Sequence, residues 1–259
     1  MTTRFSTSLR TEVLKCSHTG LLWLTIGAAL TMPFIKLTAF LASEELFTYV
    51  VKYDSWHIYT MMNWRDEAAI LLPAFVILLY NGMVQIETRN GTWKQVFMLP
   101  RSYTDVYFSK FILAQGWILF FLVCFDGALL GTGLLLSHLR HDAPFGRYAI
   151  PWFQVWLISY RVYVGTLGLS ALQYWMSLRF KNPLWSVGIG LGLLFASLLI
   201  GGWVDGHFYS PYLIPLLMFQ KGHSAEQFSL PLLYTLAGSA SVLFLGLGWW
   251  DMSTRNVKG

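Results

Sequence analysis

Residues 183–203 read PLWSVGIGLGLLFASLLIGGW, twenty-one positions without a single charge. As a helix with a rise of 1.5 Å per residue this run measures about 31 Å, the thickness of a bilayer's hydrocarbon core. No water reaches that depth, so the backbone must satisfy its own hydrogen bonds, and a lone segment does so only as a helix. The preceding Asn182 with Pro183 reads as a cap followed by proline at the first helical position. Working outward, comparable apolar runs cover about 20–40, 68–86, 108–136, 149–178 and 230–250. Six spans in 259 residues leave little chain for anything else. The expected fold is an all-α integral membrane protein with one transmembrane domain over 1–259. The composition agrees, at 55% hydrophobic and only 12% charged. A soluble domain carries about 25% charged residues, so a soluble enzyme is excluded, and the apolar content excludes disorder.

Charge placement orients the bundle. With both termini inside, eleven of the eighteen Lys and Arg residues fall in inner segments and six in outer ones, and Arg161 lies within the fourth span. The outer loops collect acids such as Glu44, Glu45, Asp54, Asp66 and Glu67. The net charge of +5 is thus a signal of topology and not of nucleic-acid binding. The expected location is a cytoplasmic membrane, with both termini cytoplasmic and a bacterial source. The first run is too long for a cleavable signal sequence and reads as a retained anchor.

Three segments do not span. In residues 1–19, Phe5, Leu9, Val13 and Cys16 share a helical face with Arg4, Arg10 and Lys15 around it, the pattern of an amphipathic helix lying on the inner membrane surface. Residues 87–107 form the largest inner loop. There Trp93, Val96 and Phe97 recur at helical spacing before Pro100, and such an exposed apolar face needs cover from the bilayer or from another protein. Between the fifth and sixth spans, Tyr212 to Phe219 is apolar but too short to cross, and prolines 211 and 215 punctuate it. It should dip into the outer leaflet or lie on it, as a re-entrant-like segment. At the span boundaries, Asn63 with Asp66 reads as a cap and acidic first turn for the second span, and Ser102 with Asp105 as the start of the third.

Catalytic motifs are absent. There is no GxxxxGK[ST], HExxH or GxSxG, so the chain is not expected to hydrolyse ATP and holds no expected cofactor or metal. His138 and His141 beside Asp142 have ligand-like spacing without a third ligand nearby, and read as a hydrated loop pair. Cys16 and Cys124 are placed too differently to bridge. Asp126 lies about ten residues from the outer end of span three and Arg161 about twelve from that of span four, so the two sit at similar depth. A lone charge at mid-membrane costs about 2.5–3.5 kcal/mol on insertion scales, which pairing would relieve. The reading is an intramembrane polar pair, either beside a translocation route or only fixing span packing. The spacings Gly127-x-x-x-Gly131 and Gly188-x-Gly190-x-Gly192 permit close helix approach. Trp23, Trp64, Trp152, Trp203, Trp249 and Trp250 fall near span ends, as interfacial belts do.

This layout resembles the permease subunits of type-2 ABC exporters. The local likeness is carried by Glu87, Asn90-Gly91-Thr92, Trp93-Lys94, Leu99-Pro100-Arg101-Ser102, Tyr107 and Ser109-Lys110, and is nearest in look to the lantibiotic-immunity and bacitracin-type branch. The resemblance implies that the loop docks in a groove of a separate ABC ATP-binding subunit. Glu87, Arg89, Gly91, Thr92, Trp93, Lys94, Val96, Phe97, Pro100 and Arg101 would form the docking surface, with Trp93, Val96 and Phe97 as its apolar anchor. It also implies a second permease subunit, identical or homologous, ATP bound only by the partner, and contact with membrane lipid but not nucleic acid. The cargo it suggests is an amphipathic or hydrophobic molecule, an antimicrobial peptide among them. The alternative is an intramembrane enzyme or a non-catalytic assembly subunit using Asp126 and Arg161. Arg does not titrate, so that pair makes a poor acid–base couple.

Overall fold

The structure, a computed structural model, describes residues 11, 13–14, 16, 19–52, 54–89, 103–140, 145, 148–180, 182–203, 208–220 and 230–256. Among these there is no strand, and six helices are long and apolar enough to cross a membrane. They are α1 (Leu21–Ala42), a continuous helix built from α3 (Ser55–Asp66), a π-helical turn (Glu67–Leu71) and α4 (Leu72–Arg89), then α5 (Tyr103–Leu139), α6 (Trp152–Arg179), α7 (Pro183–Trp203) and α9 (Leu230–Asn256). Two shorter helices complete the described chain, α2 (Glu44–Lys52) and α8 (Ile214–Gln220). Each apolar run of the sequence falls on one spanning helix, with residues 149–151 ahead of α6 and Gly20 ahead of α1, and α7 has the bounds that the charge-free stretch gives. Asn182 accepts from the Leu184 backbone N–H at 3.0 Å, the expected cap.

The bundle has a centre and a rim. Of the most apolar windows, 56% of residues are buried in the second span and 50% in α6, against 22% in α7 and 11% in α9. α6 is the hub, packed along α9 and against α4, α5, α7 and α8, while α1 lies along α5. Lipid tails are as apolar as leucine, so hiding apolar surface gains helices nothing there, and association rests on close packing and polar contacts. The buried face of α6 shows this: Gly165, Thr166, Gly168, Ser170, Ala171, Gln173 and Ser177 are small or hydrogen-bonding. A Cβ on Gly168 would stand 3.0 Å from the Ala240 Cβ and 3.3 Å from the Ala237 carbonyl oxygen, so α6 and α9 meet backbone to backbone. On the other side Gln173 Nε2 donates to the Ser186 carbonyl and hydroxyl at 3.3 and 3.2 Å, and the hydroxyls of Ser177 and Ser186 lie 3.1 Å apart, tying α6 to α7.

Several expectations change. Segment 41–67, expected as an outer loop, is largely helical. It folds into α2 and α3, and α3 runs on without a break into the second span. Asn63 therefore caps nothing: it lies in mid-helix with its Nδ2 donating to the Tyr59 carbonyl, and Asp54 takes the capping role by accepting from His57 N. Trp64 is no belt residue either. It is fully buried edge-on against Phe125, with ring centroids 4.8 Å apart. Trp23, Trp152 and Trp203 do stand exposed. Of the glycines singled out, only Gly190 meets a neighbour, Gln173. Positions 127, 131, 188 and 192 face open space, because a spacing of four says nothing about which face meets protein.

The short segment before the last span packs against the bundle. Tyr212, Leu213, Ile214, Leu217 and Met218 are buried, and α8 packs against α6, α9, α3 and the π turn. It fits because Gly165 leaves room, with the Pro215 Cα 3.1 Å from where a Cβ would be. Ser210 meets Ser197 at 2.8 Å and Tyr212 Oη donates to Gln173 Oε1 at 3.3 Å, so its non-helical entrance is satisfied by protein, as backbone at membrane depth requires. Of the expected interfacial helix, residues 11, 13, 14 and 16 are helical, with Val13 exposed and Cys16 buried in the main core; Phe5 and Leu9 lie outside the described residues.

Gly168→Ala is expected to lower unfolding stability in detergent by about 1–3 kcal/mol, since neither neighbour can swing away. Gly238→Ala on the facing helix, where a Cβ would meet nothing within 4 Å, is expected to change it by less than about 0.5 kcal/mol. Thermal unfolding of the two variants side by side measures the difference.

Candidate functional site

The loop between the second and third spans is held by two helices, and the structure describes both of its roots. α4 carries the backbone of Glu87 and Arg89 to its last turn, and the side chains of both lie outside the described residues. Gly91, Thr92, Trp93, Lys94, Val96, Phe97, Pro100 and Arg101 are outside them too. α5 resumes at Tyr103, so the third span begins five residues before its apolar run, with Asp105 in the first turn.

The α5 root is tightly built. Tyr107, about 6 Å along α5 from its start, is buried, and its hydroxyl donates to the Leu245 carbonyl of α9 at 3.0 Å. Its own carbonyl accepts from Tyr174 Oη of α6 at 2.9 Å, and the two rings lie 4.8 Å apart. Tyr174 in turn packs on Tyr80 of α4 and Phe111 of α5, at 5.4 and 5.9 Å. Gln115 Nε2 donates to Tyr80 Oη at 2.9 Å. Outside this cluster, Trp249 Nε1 donates to Thr104 Oγ1 at 3.3 Å, and Arg179 pairs with Asp251 at 2.7 Å. Four helices thus share one aromatic and hydrogen-bonded collar where the loop leaves the bundle. The start of α5 is joined to α6 and α9 by buried contacts. Beside the collar, Leu172, Trp175, Met176, Phe180, Ile189, Leu247 and Trp250 line a mostly apolar cleft of about 510 Å³ with Arg179 and Asp251 at its polar edge.

The two intramembrane charges part company. Asp126 Oδ2 accepts from the Ser159 hydroxyl, and Ser159 also donates to the Val155 carbonyl at 2.9 Å. Lys36 pairs with Asp66, Arg140 with Glu44 and Arg179 with Asp251, and among the described residues no ion pair joins Asp126 to Arg161. The reason is angular. Ser159 and Arg161 are two positions apart, about 200° around a helix, so the turn of α6 that gives Ser159 to Asp126 carries Arg161 away from it. Equal depth was readable from the sequence; azimuth was not.

No group of three His, Cys, Asp or Glu side chains gathers among the described residues, and His138 stands exposed at the end of α5 while His141 and Asp142 are not described. Sequence reasoning missed the collar tyrosines, apart from Tyr107, and it left Glu67 in an outer loop. The structure buries Glu67 completely, at the start of the π turn. The available signal was Pro73: it has no N–H for the preceding turn, and a helix that runs into it must widen or kink.

These features define a multi-span helical membrane protein whose described helices pack closely at both roots of the loop. The family model described as ABC-2 family transporter protein matches residues 8–197, most of the chain, and the chain belongs to that family. No curated protein matches it.

Ser159→Ala is expected to cost about 1–3 kcal/mol by leaving the Asp126 carboxyl without its donor, and Arg161→Ala less, since no ion pair is lost with it. Tyr107→Phe is expected to cost about 0.5–1.5 kcal/mol for its bond to α9. Denaturant or thermal unfolding of the purified variants checks the order.

Proposed function

We propose that this chain is the membrane-spanning permease subunit of an ATP-driven exporter whose ATP is hydrolysed by a separate subunit. The observation that carries this reading is the family match over residues 8–197, which includes the loop and both of its roots. ABC-2 membrane proteins typically pair with an ATP-binding subunit. In this reading both termini and the loop are cytoplasmic. Trp93, Val96 and Phe97 anchor the loop in a groove of the ATPase, with Glu87, Arg89, Lys94 and Arg101 as a polar rim and Gly91, Thr92 and Pro100 shaping its turns.

The collar supplies the transmission. Closure of two ATP-bound subunits moves the loop, and the first turn of α5 passes that motion to α9 through Tyr107 and to α6 through Tyr174. The binding energy of ATP then biases a bundle with two arrangements, as differential affinity for two states always does. A second permease subunit, the same or homologous, completes the path. The cargo is an amphipathic or hydrophobic molecule taken from the membrane, with antimicrobial peptides as the first class to test. Asp126 and Arg161 serve span packing and polarity rather than chemistry.

Trp93→Ala and Phe97→Ala are each expected to abolish co-purification of an ATPase subunit in mild detergent, with the elution volume and helicity of the chain unchanged. The reading falls if the wild-type chain purifies from its native membrane with no ATPase, or if a cysteine placed in the loop is labelled from outside intact cells by a membrane-impermeant reagent.

A further inference from the structure

Thr60, Asn63, Trp64 and Glu67 follow one another at i, i+3, i+4 and i+7, so they share one face of α3 as it enters the π turn. All four are buried: Thr60 is 2% exposed and the other three 0%. Each holds a polar atom that meets no hydrogen-bond partner among the described residues: Thr60 Oγ1, Asn63 Oδ1, Trp64 Nε1 and both carboxyl oxygens of Glu67. Elsewhere in the core, side-chain pairs such as Tyr59–Thr132, Gln173–Ser186 and Ser197–Ser210 satisfy one another, and the other buried atoms without a partner, Gln115 Oε1, Trp117 Nε1, Asp126 Oδ1, Ser170 Oγ and Trp175 Nε1, are scattered over α5 and α6. Buried polar groups are normally partnered, and a run of four on one helix face is a concentrated departure from that rule.

The charges nearby are already committed or point away. Asp66 pairs with Lys36, and Arg65 is exposed, two positions and so about 200° from Glu67. The half-helix α8, which packs on both α3 and the π turn, carries no Asp, Glu, Lys, Arg or His. α4 has none before Glu87, twenty residues and about 30 Å further along. Glu67 is therefore a fully buried carboxyl group that shares its helix face with the unpartnered oxygens of Thr60 and Asn63 and the indole N–H of Trp64, with no cation of the protein assigned to it among the described residues. On the α5 side the wall is aromatic, with Phe125 against Trp64 and Phe121 stacked on Phe75 at 4.5 Å.

We propose that this face is the binding site for the cationic head of an amphipathic molecule, an ammonium or guanidinium group whose counter-ion is the Glu67 carboxylate. Asn63 Oδ1 and Thr60 Oγ1 accept its remaining N–H donors, and the Phe121–Phe125 wall takes its apolar part. One carboxylate with neutral oxygens suits a hydrogen-bonding organic cation. It does not suit a transition metal, for which no cluster of three ligands gathers among the described residues. The π turn ahead of Pro73 places the carboxyl inside the bundle, and α8 closes the site in this conformation. The word cargo rests on the exporter reading above; the binding itself does not.

The test uses the full-length chain in phosphatidylcholine nanodiscs, with tryptophan fluorescence as readout and protein-free discs as blank. The probes are dodecylguanidinium and dodecylurea, which match in shape and differ in charge. The expected result is saturable binding of the guanidinium at least about tenfold tighter than the urea. Glu67→Gln is expected to erase that gap, and Glu67→Asp to keep part of it. Equal binding of the two probes to the wild-type chain overturns the proposal without any variant being needed. So does a gap that survives in Glu67→Gln, or a response of the same size to sodium chloride alone that Glu67→Gln removes, which would make the occupant a metal ion. The ATPase is absent from this experiment. Cation binding by a chain that recruits no ATPase would sink the exporter reading and leave this site standing; the reverse pair of results would do the opposite.

Discussion

The bundle depends on the small and hydroxyl-bearing face of α6. Among lipid tails an apolar helix gains nothing by hiding leucines, so spans stay together only where their backbones come close enough for dense dispersion contact or where polar groups meet. Gly168 admits α9, Gly165 admits α8, and Gln173 with Ser177 holds α7. Every other helix is placed relative to this face or to a neighbour that touches it. On the outer surfaces of α7 and α9, Phe195, Leu199, Val242 and Leu243 stand exposed.

From that centre the two ends of the molecule are built differently. At the loop end, aromatic rings and three tyrosine hydroxyl contacts join α4, α5, α6 and α9. At the other end, chain that need not cross the membrane folds back as α2, α3 and α8 and covers the interior. Trp56 Nε1 donates to the Phe145 carbonyl at 3.0 Å, Tyr59 Oη to Thr132 at 2.9 Å, and Arg140 reaches Glu44 at 2.7 Å, which fastens this cover to α5 and the segment after it. The π turn ahead of Pro73 interrupts the regular backbone of the second span, and it is there that Glu67 is buried.

The sequence alone determined the number of crossings and their approximate limits, because a run of about twenty apolar residues has one low-energy form in a bilayer. Pro183–Trp203 is the plain case, and Asn182 fixes its start by local chemistry. The sequence also determined the family-like layout, a loop after the second span and a short apolar segment before the last. Only the tertiary structure decided which faces meet. Depth follows from counting residues, whereas azimuth depends on how a helix turns against its neighbours; so Asp126 met Ser159 and not Arg161, and Gly168 became a contact while Gly127 and Gly131 did not. The same limit hid the burial of Trp64 and Glu67, since a polar residue just outside an apolar run reads as loop until another part of the chain folds over it.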